Sequence, residues 1–297
     1  MVKHEFADLN SGRIPASRFF EPVLESLEDI VAYTAPQGKR VLSVAAFGFP
    51  LAFLSEGAKE VLSFDVDYSK IAWNHFLRAS ILTLNYEENS DFFRHEMSPS
   101  GLERIKEKVR KLIPDEYSKE ALKYVFIFNL GCSHLKDRIT QFYPHIRDKT
   151  TYERVKETAN NGGWEISQDE LLKLLEGVEI SQKGRQFDVM YVSSIRNWVL
   201  DARYKNNVQW FEKDYDRKLG KLASSLLNEG GVFYETLISE QGFPRVKISP
   251  RLYRGFDIQE YPSQDVNSKS VIIVGKKLSV SEPAPYNNSC RAIEHNK

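Results

Sequence analysis

Cysteine is scarce in this chain: only Cys132 and Cys290 occur among its 297 residues. Such a sequence offers no disulfide framework, which is typical of proteins kept in a reducing compartment. The first residues, Met1 to Glu5, are too charged for a secretory signal. No apolar run approaches the about 20 residues that cross a bilayer. We therefore expect a cytoplasmic protein without a transmembrane segment.

An excess of charge is missing as well, because 41 Lys and Arg balance 41 Asp and Glu. Proteins that bind nucleic acid usually present a basic field, so no nucleic-acid partner is expected. Cys132, His134 and His145 lack the spacing of a metal site, and no Cys-x-x-Cys occurs, so no metal is expected either. The sequence does not specify an oligomeric state.

Two glycine-rich phosphate motifs are absent too. A first strand is predicted at 40–44, and the turn after it reads Ala-Ala-Phe-Gly-Phe-Pro instead of the dinucleotide fingerprint G-x-G-x-x-G. A P-loop is excluded because Gly38-Lys39 precedes that strand instead of following it. The looser glycine turn of enzymes that use S-adenosyl-L-methionine (SAM) is the pattern that remains.

The stretch from Lys39 to Asp67 carries the strongest positive signal. It reads as strand, turn, helix, strand and acid, with Gly57 as a helix stop and Asp65 at the tip of the second strand. In a doubly wound sheet the turn lies where ligands bind, and its peptide N–H groups and the following helix can hold an anion or carboxylate. A carboxylate at the position of Asp65 can accept both hydroxyls of a ribose, although a helix cap or a surface acid is the alternative.

The rest of the chain fits an α/β fold with a doubly wound, mostly parallel sheet of the class I methyltransferase type. Ser69 is a candidate N-cap for a helix whose core face carries Trp73 and Phe76, which core packing explains better than a cofactor box. The remaining predictions are a buried strand at 187–192, a helix at 207–228, a strand at 232–236 and a closing antiparallel pair. We divide the chain into an N-terminal helical segment (1–36), a SAM-binding domain (37–278) with a mostly helical insertion (85–163) between strands two and three, and a disordered tail (279–297).

The residues of the first turn resemble a particular branch of SAM enzymes, the 3-amino-3-carboxypropyltransferases of betaine-lipid synthesis. In that family the turn reads roughly Val-Leu-Ser-Ile-Gly-Ser-Ser-Gly, which Ser43 and Gly48 match. The segment from Phe64 to Lys70 is similar to the family's Val-Asp-Leu-Asn-Pro-Ala-Gln. The resemblance covers residues 40–94 best and 187–236 less well. It implies transfer of the aminocarboxypropyl group of SAM to a small-molecule or lipid acceptor, with methylthioadenosine as by-product.

Each predicted site residue has an expected role. The backbone of the turn approaches the methionine arm, Asp65 holds the ribose, Val66 and Asp67 flank the adenine, and two serines line the pocket. The predicted cofactor-binding residues are Ser43, Ala45, Ala46, Phe47, Gly48, Asp65, Val66, Asp67, Ser193 and Ser194. Asn197 and Trp198 are expected near the acceptor, with core packing as an equal alternative for Trp198, and Tyr234 or Glu235 could deprotonate or orient it. An ordinary SAM-dependent methyltransferase and a non-catalytic SAM-binding module remain alternatives.

Overall fold

A seven-stranded sheet forms the centre of the protein in the computed structural model, which describes residues 27–45, 48–65, 67–131, 133–168, 186–192, 208–237, 255–262 and 271–279. The strands are β1 (Arg40–Val44), β2 (Glu60–Asp65), β3 (Trp164–Gln168), β4 (Phe187–Tyr191), β5 (Leu227–Leu237), β6 (Phe256–Pro262) and β7 (Val271–Lys277). They lie side by side in the order β3-β2-β1-β4-β5-β7-β6. The pairs among β1 to β5 are parallel, whereas β7 runs antiparallel to both of its neighbours.

This order confirms the predicted doubly wound class. The chain proceeds from β1 outward to β3 and then returns to β4 on the other side of β1, so the strand order reverses between β1 and β4. In open α/β sheets the crevice at such a switch point, outside the carboxyl ends of the strands, is where ligands bind. The closing antiparallel pair, β6 and β7, is present as predicted.

Within the described ranges, most of the helical residues lie between β2 and β3. The α-helices in the described ranges are α1 (Leu27–Thr34), α2 (Phe49–Ser55), α3 (Tyr68–Thr83), α4 (Tyr86–Phe93), α5 (Pro99–Arg110), α6 (Asp115–Gly131), α7 (Ile139–Phe142), α8 (Lys149–Asn160) and α9 (Val208–Leu226), with 3₁₀ turns at Ser133–Arg138 and Pro144–Ile146. The helical insertion between β2 and β3 is therefore confirmed as part of the fold. None of the helices in these ranges combines the length and the apolar character needed to span a membrane.

The insertion packs on α3 through a cluster of aromatic rings. Trp73 and Phe76 of α3 are 1% and 0% exposed, and their rings stack at 5.0 Å. Phe128 of α6 lies 5.4 Å from Trp73, and Phe92 of α4 lies 5.3 Å from Phe76. The helical spacing of Trp73 and Phe76 thus reflects core packing, as the sequence indicates.

Three local predictions need correction. The N-cap of α3 is Asp67, whose Oδ1 accepts from the Ser69 amide at 2.8 Å, so Ser69 lies inside the first turn. The helix before β5 ends at Leu226, and β5 begins at Leu227 instead of Val232.

The early start of β5 has a local cause at the amino edge of the sheet. Phe187 pairs with Leu227 but Val189 pairs with Val232, so β5 carries extra residues between these two pairs. Within them Gly230 has a φ of +73°, which suits glycine because it has no Cβ. The Asp188 carboxylate accepts from Asn228 Nδ2 at 2.7 Å and from the Arg40 amide at 2.9 Å, which ties β5, β4 and β1 together there.

Candidate cofactor site at the carboxyl edge of the sheet

The register of the strands brings several predicted site residues to one edge. Ser43 of β1 is flanked by Ser63 of β2 and by Tyr191 of β4, and Tyr191 pairs in turn with Tyr234 of β5. Ala45 lies two residues after Ser43, and Asp65 lies two residues after Ser63. Both are therefore on the same face of the sheet as these serines. The face is the one that α2 covers, because Phe49 and Phe53 of α2 contact the Tyr191 ring at 5.0 and 5.7 Å.

Asp65 ends β2 beside the turn that follows β1. Its side chain is 8% exposed, and its Oδ1 accepts from the Asp67 amide at 2.9 Å. Because Asp67 uses its own carboxylate to cap α3, Asp65 rather than Asp67 is the acid whose carboxylate stands at the strand tip. The backbone bond from Asp67 fixes the side chain of Asp65 in one orientation, as a residue that recognises a ribose requires.

The end of β1 is held by β2 and by α3. The Ala45 amide donates to the Phe64 carbonyl at 2.6 Å, and the Ala45 carbonyl accepts from Asn74 Nδ2 of α3. The Ser43 hydroxyl is fully buried and donates to the Val44 carbonyl at 3.0 Å. Sequence reasoning missed Asn74, although a polar residue between buried apolar positions of α3 was a detectable signal.

The insertion approaches the chain closely at Gly48. A Cβ at this position would lie 2.6 Å from the Phe142 carbonyl oxygen and 3.2 Å from the Tyr143 ring. Gly48 is also the N-cap of α2, with no side chain to satisfy the first amides of that helix. The requirement for glycine therefore comes from the insertion, and Tyr143, itself fully buried, covers this side of the turn.

Helix α6 of the insertion reaches the carboxyl ends of β2 and β3. Gln168, the residue paired with Asp65, accepts through Oε1 from the Tyr117 hydroxyl at 2.9 Å. Tyr68, next to Asp67, donates its hydroxyl to the Glu116 carbonyl, and its ring lies 5.1 Å from that of Tyr117. Burial raises the pKa of both tyrosines, so they stay protonated and serve as donors at neutral pH. Gln168 is the last residue of β3.

The two predicted catalytic residues are buried in the described structure. Tyr234 is 1% exposed, and its ring lies 5.5 Å from Tyr191 and 6.4 Å from Tyr33 of α1. Glu235 is fully buried one residue further along β5, on the opposite face of the sheet from Tyr234. Both stand at the same edge as Asp65, and their role in catalysis stays a prediction.

Several predicted residues lie outside the described ranges. They are Ala46 and Phe47 of the turn, Val66 after β2, and Ser193, Ser194, Asn197 and Trp198 after β4. Cys132 is likewise outside, and the described residues contain no group of three His, Cys, Asp or Glu side chains that could hold a metal ion.

His145, one of the residues weighed for metal binding, belongs to a buried polar chain of the insertion. Its Nε2 donates to Asn89 Oδ1 at 3.0 Å, and Asn89 Nδ2 donates to the Ser80 hydroxyl at 3.3 Å. All three side chains are fully buried, and His145 Nδ1 has no hydrogen-bond partner among the described residues. Burial lowers the pKa of His145 to about 3, because a proton on Nδ1 would place an unpaired charge in the core.

The burial of His145 predicts a loss of stability in mild acid. Below about pH 6.5 the unfolded chain takes up a proton that the folded chain cannot bind until about pH 3, so stability is full above that window and falls as the pH drops into it. We expect the free energy of unfolding to fall by about 1.4 kcal/mol between pH 7.5 and pH 5.5 because of this residue. Urea unfolding at both pH values measures it.

A His145→Gln variant should be less stable at pH 7.5 and should lose about 1.4 kcal/mol less than the wild type on acidification. His75→Gln is a second test: burial also lowers the pKa of His75, to about 4, which still lies below the window, so this variant should likewise lose less stability than the wild type on acidification. Equal pH dependence in wild type and His145→Gln would contradict the prediction.

Comparison with known proteins gives distant structural similarity only. No protein-family profile and no curated protein matches the chain. Among solved structures it is similar to the rRNA methyltransferase AviRa from Streptomyces viridochromogenes, with 11% identity over 84% of this chain and 81% of that one and a TM-score of 0.38. A TehB-like SAM-dependent methyltransferase from Corynebacterium glutamicum shows 11% identity over 92% and 94% with a TM-score of 0.38. An rRNA methylase from Streptococcus thermophilus shows 10% identity over 87% and 100% with a TM-score of 0.36. Values this low assign neither an activity nor an acceptor to this chain.

Proposed function

We propose that the chain is a SAM-dependent transferase that binds SAM at the carboxyl edge of β1 and β2 and passes one of its carbon groups to a nucleophilic acceptor. The observation that carries this proposal is the placement of Asp65. It is an acid at the tip of β2, held in one orientation, beside the turn of β1 and next to the switch point of a doubly wound sheet.

The residues present fit an adenosine bearing an amino-acid arm. Asp65 would accept from the ribose hydroxyls, the residues after β2 (Val66 and Asp67) would flank the adenine, and the segment after β4 (Ser193 and Ser194) would close the other side. The methionine arm would lie along the turn from Ala45, on the side that Tyr143 does not cover. Asn197 and Trp198 would face the acceptor, and Tyr234 or Glu235 would orient it.

SAM supplies a carbon made electrophilic by the adjacent sulfonium. An acceptor atom that attacks the γ-carbon forms a new bond there while the carbon–sulfur bond breaks, and the electron pair of that bond leaves with sulfur as methylthioadenosine. The proton of the acceptor passes to a base or to water. The protein contributes by aligning acceptor, carbon and sulfur and by excluding water, so no covalent intermediate with the protein is required.

We favour transfer of the 3-amino-3-carboxypropyl group because the first turn carries Ser43 and Gly48 in the pattern of that family. Ser43 stands where ordinary methyltransferases have an acid, and its hydroxyl is fully used by the Val44 carbonyl. Attack on the methyl carbon, with S-adenosylhomocysteine as product, is the second candidate, because a SAM site at the switch point of a doubly wound sheet is compatible with either reaction.

The nucleoside product decides between these reactions. The purified protein is incubated with SAM and a panel of acceptors that includes vesicles containing diacylglycerol, small amines and phenols, and RNA, and the nucleosides are identified by mass spectrometry. Methylthioadenosine above a protein-free blank supports aminocarboxypropyl transfer, and S-adenosylhomocysteine supports methyl transfer. RNA belongs in the panel because the exclusion of nucleic acid rests on net charge alone.

Direct binding covers the third possibility, a module without catalysis. Calorimetry with S-adenosylhomocysteine that shows binding, together with no turnover of any acceptor, would favour such a module. Binding of neither SAM nor S-adenosylhomocysteine would contradict the proposal as a whole.

A further inference from the structure

Asn74 is a fully buried polar residue of α3 whose side-chain amide contacts the end of β1 through its nitrogen. Its Nδ2 donates both to the Ala45 carbonyl and to the Lys70 carbonyl, the latter at 2.9 Å. Its Oδ1 has no hydrogen-bond partner in the part of the chain that the structure describes. Since Nδ2 and Oδ1 belong to one planar amide, the unpartnered oxygen lies within one amide width of the nitrogen that contacts the Ala45 carbonyl.

An unpaired buried acceptor is costly, and native proteins keep such groups for an identifiable reason. Arg78 Nε of the same helix is also buried and lacks a hydrogen-bond partner among the described residues, but it is a donor, so Asn74 Oδ1 is the unpartnered buried acceptor of the described α3. The Ser80 hydroxyl, equally buried, donates to the Leu77 carbonyl at 2.7 Å and accepts from Asn89. Within α3 the unsatisfied oxygen is thus confined to the residue that touches the turn after β1.

The chemistry of this spot selects one part of the proposed ligand. The Ala45 carbonyl has a second lone pair beyond the one that Asn74 Nδ2 engages, so two acceptors stand side by side. The Ala45 amide is already donated to Phe64, so the spot offers no donor from this residue to a carboxylate. Two adjacent neutral acceptors suit a group with several N–H donors and a positive charge, which in SAM is the ammonium of the methionine arm.

We propose that Asn74 is a cofactor-binding residue whose Oδ1, together with the Ala45 carbonyl, accepts hydrogen bonds from the ammonium of the methionine arm. The inference rests on the proposed function, since it takes SAM as the ligand. It adds that α3 holds the end of β1 through Nδ2 and recognises the amino-acid arm through Oδ1, so one amide both positions the turn and reads the ligand.

Three ligands and one variant test the proposal. S-adenosylhomocysteine has the complete amino-acid arm, methylthioadenosine lacks the arm, and the desamino analogue of S-adenosylhomocysteine lacks only the ammonium. Asn74→Leu has a similar volume and removes both amide atoms. We expect its affinity for S-adenosylhomocysteine, measured by calorimetry, to fall about tenfold or more beyond any loss that methylthioadenosine and the desamino analogue share, because the lost bond from Nδ2 to the Ala45 carbonyl affects the turn for all three ligands.

Ser80→Ala, which removes a buried polar group from the same helix, is the matched control and should leave all three affinities unchanged. If Asn74→Leu weakens the binding of all three ligands equally, Asn74 only supports the fold and the inference is overturned. Unchanged affinity for S-adenosylhomocysteine overturns it too.

If Asn74→Leu does not fold, Asn74→Asp takes its place. That variant keeps an acceptor but loses the donor to Ala45, so it should still prefer S-adenosylhomocysteine over the desamino analogue, and loss of that preference contradicts the inference. A wild-type protein that binds none of the ligands refutes the proposed function itself, which separates the two failures.

Discussion

Replacement of Asp65 by alanine is expected to weaken the binding of S-adenosylhomocysteine about 100-fold, because two hydrogen bonds from ribose hydroxyls to a carboxylate are lost together. The side chain is nearly buried and fixed by the Asp67 amide, so water cannot easily replace it as an acceptor. Calorimetric titration of wild type and variant measures the effect. Asp65→Asn keeps an acceptor for the Asp67 amide and should give an intermediate loss.

The matched control lies at the other end of the same strand. Glu60 begins β2 at the amino edge, where it pairs with Arg40 at 3.4 Å, and Glu60→Ala should leave nucleoside affinity unchanged. If Asp65→Ala binds as tightly as wild type, the ribose assignment is wrong. If Glu60→Ala weakens binding as much as Asp65→Ala, the loss reflects a damaged strand instead of a lost contact.

The parallel strands were predictable because both of their faces are buried. Residues 41–44 and 61–65 are all buried, so a continuous apolar run with few polar interruptions marks each strand without ambiguity. The helix stop at Gly57 was predictable for a similar local reason, since its φ of +84° strongly favours glycine. With strands, turn and acid in this order, the position of Asp65 at the carboxyl edge follows from the rules of doubly wound sheets.

Three details could not be predicted from the sequence. Asp67 and Ser69 are both good N-caps, and in the structure Asp67 caps α3 by accepting from the Ser69 amide. The hydrogen bond from Asn74 Nδ2 to the Ala45 carbonyl joins residues 29 positions apart. Leu112 follows the buried Val109 at helical spacing but is 46% exposed, because α5 ends at Arg110 and the helical spacing no longer applies beyond it.

Gly48 was predicted as part of the cofactor turn, but the reason that this position requires glycine was only partly predictable. The sequence suggests a glycine that lets the cofactor approach the backbone. The structure places the Phe142 carbonyl of the insertion 2.6 Å from the point where a Cβ would lie. Real Cβ atoms do not come this close to a backbone oxygen, so any side chain at position 48 must displace the insertion or the turn.

Gly48→Ala is therefore expected to lower the free energy of unfolding by about 2 kcal/mol, and Gly48→Val by about 3 kcal/mol. Gly101→Ala is the control: the same substitution at this helical position meets neighbours at no less than 3.4 Å, so it should be neutral or stabilise by about 0.5 kcal/mol. Urea unfolding of the three variants measures the differences, and the same samples report nucleoside affinity. Stability equal to wild type in Gly48→Val would mean that the insertion does not rest on the turn. A large loss of stability would support the conclusion that α7 and the segment after it brace the edge of the sheet where we place the cofactor, because the atoms nearest to a Cβ at Gly48 belong to Phe142 and Tyr143.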